Sequence, residues 1–342
     1  MDYIRNFKGW VASVIVLVGF ILIRLFSCDS DVEEISYQKC IGEKFSTFYS
    51  VTYKSTENLD NSIVELLDKC DLSLSPFNEK SILTAVNNND TTARVDKLLG
   101  DVITISQQIY SETYGTFDPT ISPLINAWGF GFKTEKLPNQ AEVDSLKTLV
   151  GMDKITLTPN GEVIKENRDI TLNFSAIAKG YIVDKVAQFL ESKGVTDYLV
   201  NIGGEISCNG VNERGETWRI GVDKPEESNL GGDLHTILQL SGKSLATSGN
   251  YRKFKVEENQ KVWHIIDPRT GYPTKSRVLS ATVISDNCAK ADAYATALMV
   301  LGVEEGMPII EADSTSEAML ICPGDTSQYK VYYSKGFNKF IK

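Results

Sequence analysis

Beyond residue 35 the chain alternates between two apolar spacings, and each predicts its own kind of element. EKFSTFYSVTY has apolar residues at every second position, the period of a half-buried strand. Leu59, Ile63, Leu66, Leu67 and Cys70 then recur at helical spacing, followed by a polar loop, LSPFNEKS. A second helix is predicted from Arg94 to Tyr114, stopped by Gly115. PNQAEVDSLKTLVG reads as a short helix capped by Asn139, with Glu142 reaching back. From residue 155 onward strands dominate: ITLTP, DITLNF, DYLVNIG, WRIGVD, HTILQLS, RKFKVE, VWHII, LSATVIS, AMLIC and YKVYY. Two helices interrupt them. KGYIVDKVAQFLESKG carries Ile182, Val183, Val186, Phe189 and Leu190 on one face and ends at Gly194; the other runs from Ala289 through Leu301. Several strands are joined by turns too short for crossovers. The predicted class is therefore α+β, with mostly antiparallel sheets and packed helices. No repeat or long linker divides residues 35–342, which read as one compact body.

The N-terminus follows another grammar. Arg5 and Lys8 precede the apolar run VASVIVLVGFILI, as in an export signal. LFSC then resembles a bacterial lipobox with Cys28 as lipid acceptor, although Phe26 is bulky and Arg24 stands just before it. The alternative is an uncleaved anchor from Trp10 to Phe26, a segment barely long enough to span a bilayer. Residues 1–27 are thus a signal peptide or signal anchor, and residues 28–34 a short acidic linker. Both alternatives put the body outside the cytoplasm of a bacterial cell, on the periplasmic side and tethered to the membrane.

Composition narrows the class only slightly. A hydrophobic share of 42% supports a sizeable core. A net charge of −10 excludes a broad basic face of the kind that binds nucleic acid. Six cysteines at irregular spacing, without a CxxC pair, fit neither a zinc site nor a dense disulfide framework. They read mainly as buried apolar residues, with one bridge left open. The sequence has no GxGxxG after a strand, no GxxxxGK[ST], no HExxH and no GxSxG, so the common nucleotide, zinc-protease and hydrolase folds lack support.

The candidate chemistry begins with CAKADAYATALMVLG. Asp292 and Thr296 are spaced i, i+4 on one helix face, and a buried carboxylate needs compensation. Hard oxygen donors of this kind favour Mg²⁺. TLNFSAIAKGYIVD puts Lys179 at a helix start, where free N–H groups and an ammonium could cradle an anion; an ordinary solvated lysine is the plainer alternative. The aromatics of YGTFDPTISPLINAWGFG could line a flat ring's pocket or simply plug the core. Of two histidines, His235 is expected at the surface. His264, in VWHIIDPRTGYP, runs into a tight turn where scaffolds present reactive groups, with a purely structural role as the alternative.

Taken together, FSTFYSVTY, LSPFNEKSIL, YGTFDPTISPLINAWGFG, NFSAIAKGYIVDKVAQFL, YLVNIGGEISCNG, SLATSGNY, HIIDPRTGYP and AKADAYATALMVLG resemble the FAD:protein FMN transferases of the ApbE family, in order and over nearly the whole body. The resemblance implies an α+β fold with a T-fold-like subdomain. The implied reaction is Mg²⁺-dependent: FMN passes from FAD to a Thr or Ser hydroxyl of an exported redox protein, releasing AMP. The acceptors would be subunits of membrane redox complexes. Carried over, Asp292, Thr296 and the carbonyl of Ala176 would hold Mg²⁺. Lys179 would offset phosphate charge, and Ser75, Phe77, Asn78, Thr116, Phe117 and Asp118 would contact the flavin nucleotide. His264 would be the catalytic base. Ser175-Ala176 replaces a frequent Gly-Gly, and GGE, with Glu205, replaces a frequent Gly-Gly-Asp; Glu205 is left outside the expected site. Two rival readings remain: an FAD pyrophosphatase giving FMN and AMP, and a lipoprotein that binds FAD without turnover.

Overall fold

The structure, a computed structural model, describes residues 35–130, 137–226, 232–250, 254–257, 260–263, 265–324 and 328–342. The expected signal or anchor segment, Cys28 and His264 lie outside the described residues. Residues Tyr37–Lys342 form one compact unit, which carries the fold described below.

An eight-stranded sheet forms the centre, its strands following one another in space in chain order: β1 (Ser36–Lys44), β2 (Thr47–Ser55), β3 (Tyr198–Ile202), β4 (Glu205–Asn209), β5 (Lys243–Gly249), β6 (Ser280–Ser285), β7 (Glu317–Pro323) and β8 (Tyr329–Tyr333). Every pair of described register is antiparallel, as the short turns require. The segment read as one strand, EKFSTFYSVTY, holds the end of β1, a turn and most of β2. Phe45 and Ser46 turn the chain at φ 55° and 56°, and both flanking runs keep their alternation.

Seven helices are described: α1 (Asp60–Leu74), α2 (Ile82–Asn87), α3 (Lys97–Glu112), α4 (Ser122–Ala127), α5 (Gln140–Lys147), α6 (Ala178–Ser192) and α7 (Cys288–Ala312). The α3 start falls inside the expected span because the Asp96 carboxylate accepts from the Leu99 N–H, capping the helix there. Asn139 and Glu142 form the expected capping box of α5. Gly194, at φ 78°, follows the last turn of α6 in the left-handed conformation common after helices.

Helix α7 is longer than expected. It carries a break at Gly302, where φ is 72°, and continues to Ala312. Among the described residues it is the one helix long and apolar enough to cross a membrane, yet its first half is core: Ala291, Ala295 and Leu298 pack with Ala246, Ala281 and Val283 of the sheet. The other sheet face is covered by the hairpin Trp218–Asp223/Leu234–Leu240, which packs Trp218, Ile220 and Leu238 on Ile206, Ile284 and Ile321. Strand β6 is thus buried along its whole length.

Two further expectations change, and the reading of the cysteines as buried residues is borne out. DITLNF is not a strand, although Ile170, Leu172 and Phe174 are buried at the spacing of one. Its backbone is satisfied elsewhere: the Asn87 side chain both donates to the Leu172 carbonyl and accepts from its N–H, at 2.9 and 2.8 Å. His235 is half-buried rather than superficial, edge-on to Tyr329, and burial lowers its pKa. Cys40, Cys70, Cys208, Cys288 and Cys322 are all buried and free, so none of these five is bridged.

Candidate active site

Three chain segments meet where α6 crosses α7. The bend Ser175–Ile177 leads into α6 and brings Lys179 and Gly180 to its first turn. Helix α7 supplies Asp292 and Thr296 one turn apart. The β3–β4 turn, Gly203–Gly204, delivers Glu205 as the first residue of β4. Gly180 is the contact point of the two helices. A Cβ built on it would stand 2.7 Å from the Cys288 carbonyl carbon and 2.9 Å from the Asp292 Cβ, so only glycine allows this approach.

One cavity of about 410 Å³ is lined by Ala176, Lys179, Glu205, Asp292 and Thr296, together with Thr116, Phe117 and Asp118. The expected metal donors, the lysine and the FDPT turn are therefore brought together. Ser75, Phe77 and Asn78 line a neighbouring cavity of about 780 Å³. Ser175 and Lys179 line both, so the two spaces adjoin at the α6 start. Phe77 stands 82% exposed at the mouth of the second. Phe117 is fully buried and belongs to the core while also walling the first cavity. Trp128 belongs to the packing, its indole N–H donating to the Gly271 carbonyl at 2.9 Å.

The electrostatics centre on two buried carboxylates and a half-buried ammonium. Asp292 is 5% exposed, and its Oδ2 accepts from the Gly180 N–H at 3.1 Å. Burial raises its pKa, against the opposing pull of Lys179 and of that N–H. Glu205 is 4% exposed, its pKa pushed up to about 7 by burial and by the Asp292 charge. Lys179 is half-buried and not free: its Nζ lies 2.5 Å from Glu205 Oε1. Burial pulls the pKa of this ammonium down, but Glu205 and Asp292 outweigh it and hold the pKa above the usual value. Two buried carboxylates thus face one half-buried cation.

That imbalance suits a divalent metal. Among the described residues no cluster of three or more His, Cys, Asp or Glu side chains could enclose an ion. A cation here would rest on one carboxylate, a hydroxyl and a carbonyl, the hard oxygens that Mg²⁺ takes while keeping waters and substrate phosphates as its other ligands. Glu205 Oε2 supports the fit, being buried without a hydrogen-bond partner among the described residues. Such an orphaned oxygen costs about 1–3 kcal/mol or more unless a ligand completes it.

Glu205 stands outside the expected site because its carboxylate is longer than the family's frequent Asp and could reach differently; the fold brings it onto Lys179. Ser248 was also missed. Its hydroxyl lies 3.2 Å from that of Thr296, across the β5–α7 packing, and SLATSGNY contains no signal for that contact. Asp184 is a third omission. From α6 its carboxylate accepts from the N–H groups of Cys288 and Ala289, at 2.7 and 2.9 Å, and so caps α7 from outside.

Fold and site together define a transferase of the flavin-transferring class. The structure superimposes on the flavin transferase ApbE from Vibrio cholerae with a TM-score of 0.78 and 32% identity, covering 90% of this chain and 100% of that one. It superimposes on the apo flavinyl transferase ApbE of Pseudomonas stutzeri with a TM-score of 0.80 and 26% identity, covering 91% and 98%. In sequence, the FAD:protein FMN transferase of Vibrio cholerae serotype O1 is 31% identical over 98% of this chain and 99% of its own length. That of Escherichia coli K12 is 29% identical over 88% of each. The chain belongs to the ApbE family, whose model matches residues 45–320.

Proposed function

We propose that this protein transfers FMN from FAD to a Thr or Ser hydroxyl of an exported redox protein, releasing AMP, with Mg²⁺ required. The observation that carries the reading is the meeting of Asp292, Thr296, Ala176, Lys179 and Glu205 in a cavity that adjoins the one lined by Ser75, Phe77 and Asn78. A diphosphate at the junction would leave room on either side for the two halves of a dinucleotide.

In the reaction the acceptor oxygen bonds to the FMN phosphorus, and the bond from that phosphorus to the bridging oxygen breaks. AMP departs with the bridging oxygen. Asp292, Thr296 and the Ala176 carbonyl would hold the metal, which when bound supplies charge stabilisation to the phosphoryl oxygens. Lys179, kept charged by Glu205, would face the same oxygens. The acceptor hydroxyl must lose its proton, and His264 is proposed to take it, a step typically contributing about 10²–10⁴-fold. Phe117 and the buried walls around it would exclude water from the reacting phosphorus.

The apolar run before Cys28 favours a membrane-tethered protein, by lipid or by anchor, with its body on the extracytoplasmic side. Exported acceptor subunits of membrane redox complexes would meet it there.

Intact-mass spectrometry tests the reading directly. The full chain, FAD, Mg²⁺ and an exported acceptor bearing a Thr motif should yield an acceptor heavier by one FMN, together with AMP. FMN and AMP formed without any acceptor adduct would make the protein a pyrophosphatase. FAD left intact with metal and several acceptors would reduce it to a flavin-binding protein.

A further inference from the structure

Glu205 has a free oxygen in a place where charge is expensive. It follows Gly203 and Gly204, at φ 68° and 106°, and this turn sets the direction of its side chain. Oε1 is committed to Lys179 at 2.5 Å, whereas Oε2 is buried, unpartnered among the described residues and part of a residue lining the same cavity as Asp292 and Thr296. A diphosphate offers only acceptors, so it cannot satisfy this oxygen while Glu205 is ionised against Lys179. A donor must stand between them.

We propose that Oε2 of Glu205 accepts a hydrogen bond from water bound to the divalent cation at Asp292 and Thr296, making Glu205 an outer-sphere acceptor that sets cation affinity. The inference rests on the magnesium reading above. Mg²⁺ dehydrates reluctantly and keeps several waters, which need acceptors in a buried site. Acceptors beyond the direct ligands typically change metal affinity by about 10–100-fold. The ion pair adds to this effect: with its ammonium drawn to Oε1, Lys179 competes less for the Asp292 carboxylate that the cation needs.

Mn²⁺ binding to the full chain, read from the loss of the free-ion electron paramagnetic resonance signal, tests this without turnover. Glu205→Gln, with its amide oxygen on Lys179, presents an NH₂ group to the water and should weaken binding about 10–100-fold. Glu205→Asp keeps the charge on a shorter arm and should bind more tightly than Glu205→Gln. Thermal melts of both variants check that they are folded. If Asp292→Ala abolishes Mn²⁺ binding while Glu205→Gln binds like wild type, this inference falls and the metal reading stands. If wild type and Asp292→Ala bind Mn²⁺ equally, or neither binds, both fall.

Discussion

The Asp184 carboxylate on α6 accepts the Cys288 N–H at 2.7 Å, so the first free amide of α7 is capped by a neighbouring helix rather than by its own chain. Its second oxygen takes the Ala289 N–H. Asn287, the local cap, accepts from Lys290. Three of the orphan donors at this helix start are thereby satisfied, and two of them tie α7 to the helix that carries Lys179. Asp184→Ala would leave those two amides buried without acceptors. We expect a loss of about 1–3 kcal/mol in denaturant unfolding, with transfer activity falling further than stability because Asp292 lies one turn on. Asp184→Asn, which keeps one acceptor oxygen, should lose less of both. Equal stability in wild type and Asp184→Ala would remove the cap from the account.

Gly180→Ala sets two opposing effects against each other. Alanine improves helix propensity over glycine by about 1 kcal/mol. The added methyl, however, would meet the Cys288 backbone and the Asp292 Cβ well inside contact distance, and backbone cannot swing aside as a flexible side chain can. Overpacking of this kind costs about 1–3 kcal/mol, occasionally more. The clash should win, giving a lower melting temperature and a weaker site, since the Gly180 N–H that holds Asp292 would be pushed away. A variant as stable as wild type would mean that the helices can part without cost.

What could be read in the sequence was what lies close along the chain. The Asn139–Glu142 capping box, the Gly194 stop and the Asp292–Thr296 pair are each settled within five residues, and each is found as expected. The alternation of Ile170, Leu172 and Phe174 was also real, but it predicted a strand because its hydrogen-bond partner, Asn87, lies 85 residues away. The site divides in the same manner. Asp292, Thr296, Ala176 and Lys179 were legible as motifs, whereas Glu205 on Lys179, Ser248 on Thr296 and Asp184 on Cys288 are pairings made only by folding.

Asp118 gives the stability a pH dependence of defined sign. Its carboxylate accepts from the N–H and hydroxyl of Thr120, at 2.8 and 2.6 Å, yet burial dominates and pushes its pKa up from 3.8 to about 6. The folded chain therefore keeps this proton between about pH 4 and 6, where the unfolded chain has released it. The contribution is fully present below the unfolded pKa and is lost as pH rises through the folded one. Relative to Asp118→Asn, which cannot ionise, wild type should lose on the order of 1–3 kcal/mol between pH 4 and pH 7. Urea unfolding of the pair at both pH values measures the difference. A gap that stays constant with pH would show that Asp118 ionises in the fold without penalty.

Phe77 separates binding from folding more sharply than any buried residue can. Its ring is 82% exposed on the loop between α1 and α2, beside Ser75 and Asn78, whose own contacts hold the loop: Ser81 donates to the Ser75 carbonyl and Asn78 to Asp71, both at 2.6 Å. A ring this exposed contributes little to stability, so Phe77→Ala should unfold within about 0.5 kcal/mol of wild type. An exposed aromatic at a cavity mouth is well placed to lie against a flat ligand ring, an interaction worth about 0.5–1.5 kcal/mol. Loss of the ring should therefore weaken FAD binding by up to about tenfold, whereas Phe77→Tyr or Phe77→Trp should hold it near wild type. Fluorescence titration of FAD reads this directly. Unchanged affinity in Phe77→Ala would place the flavin elsewhere and leave the larger cavity to the adenine half.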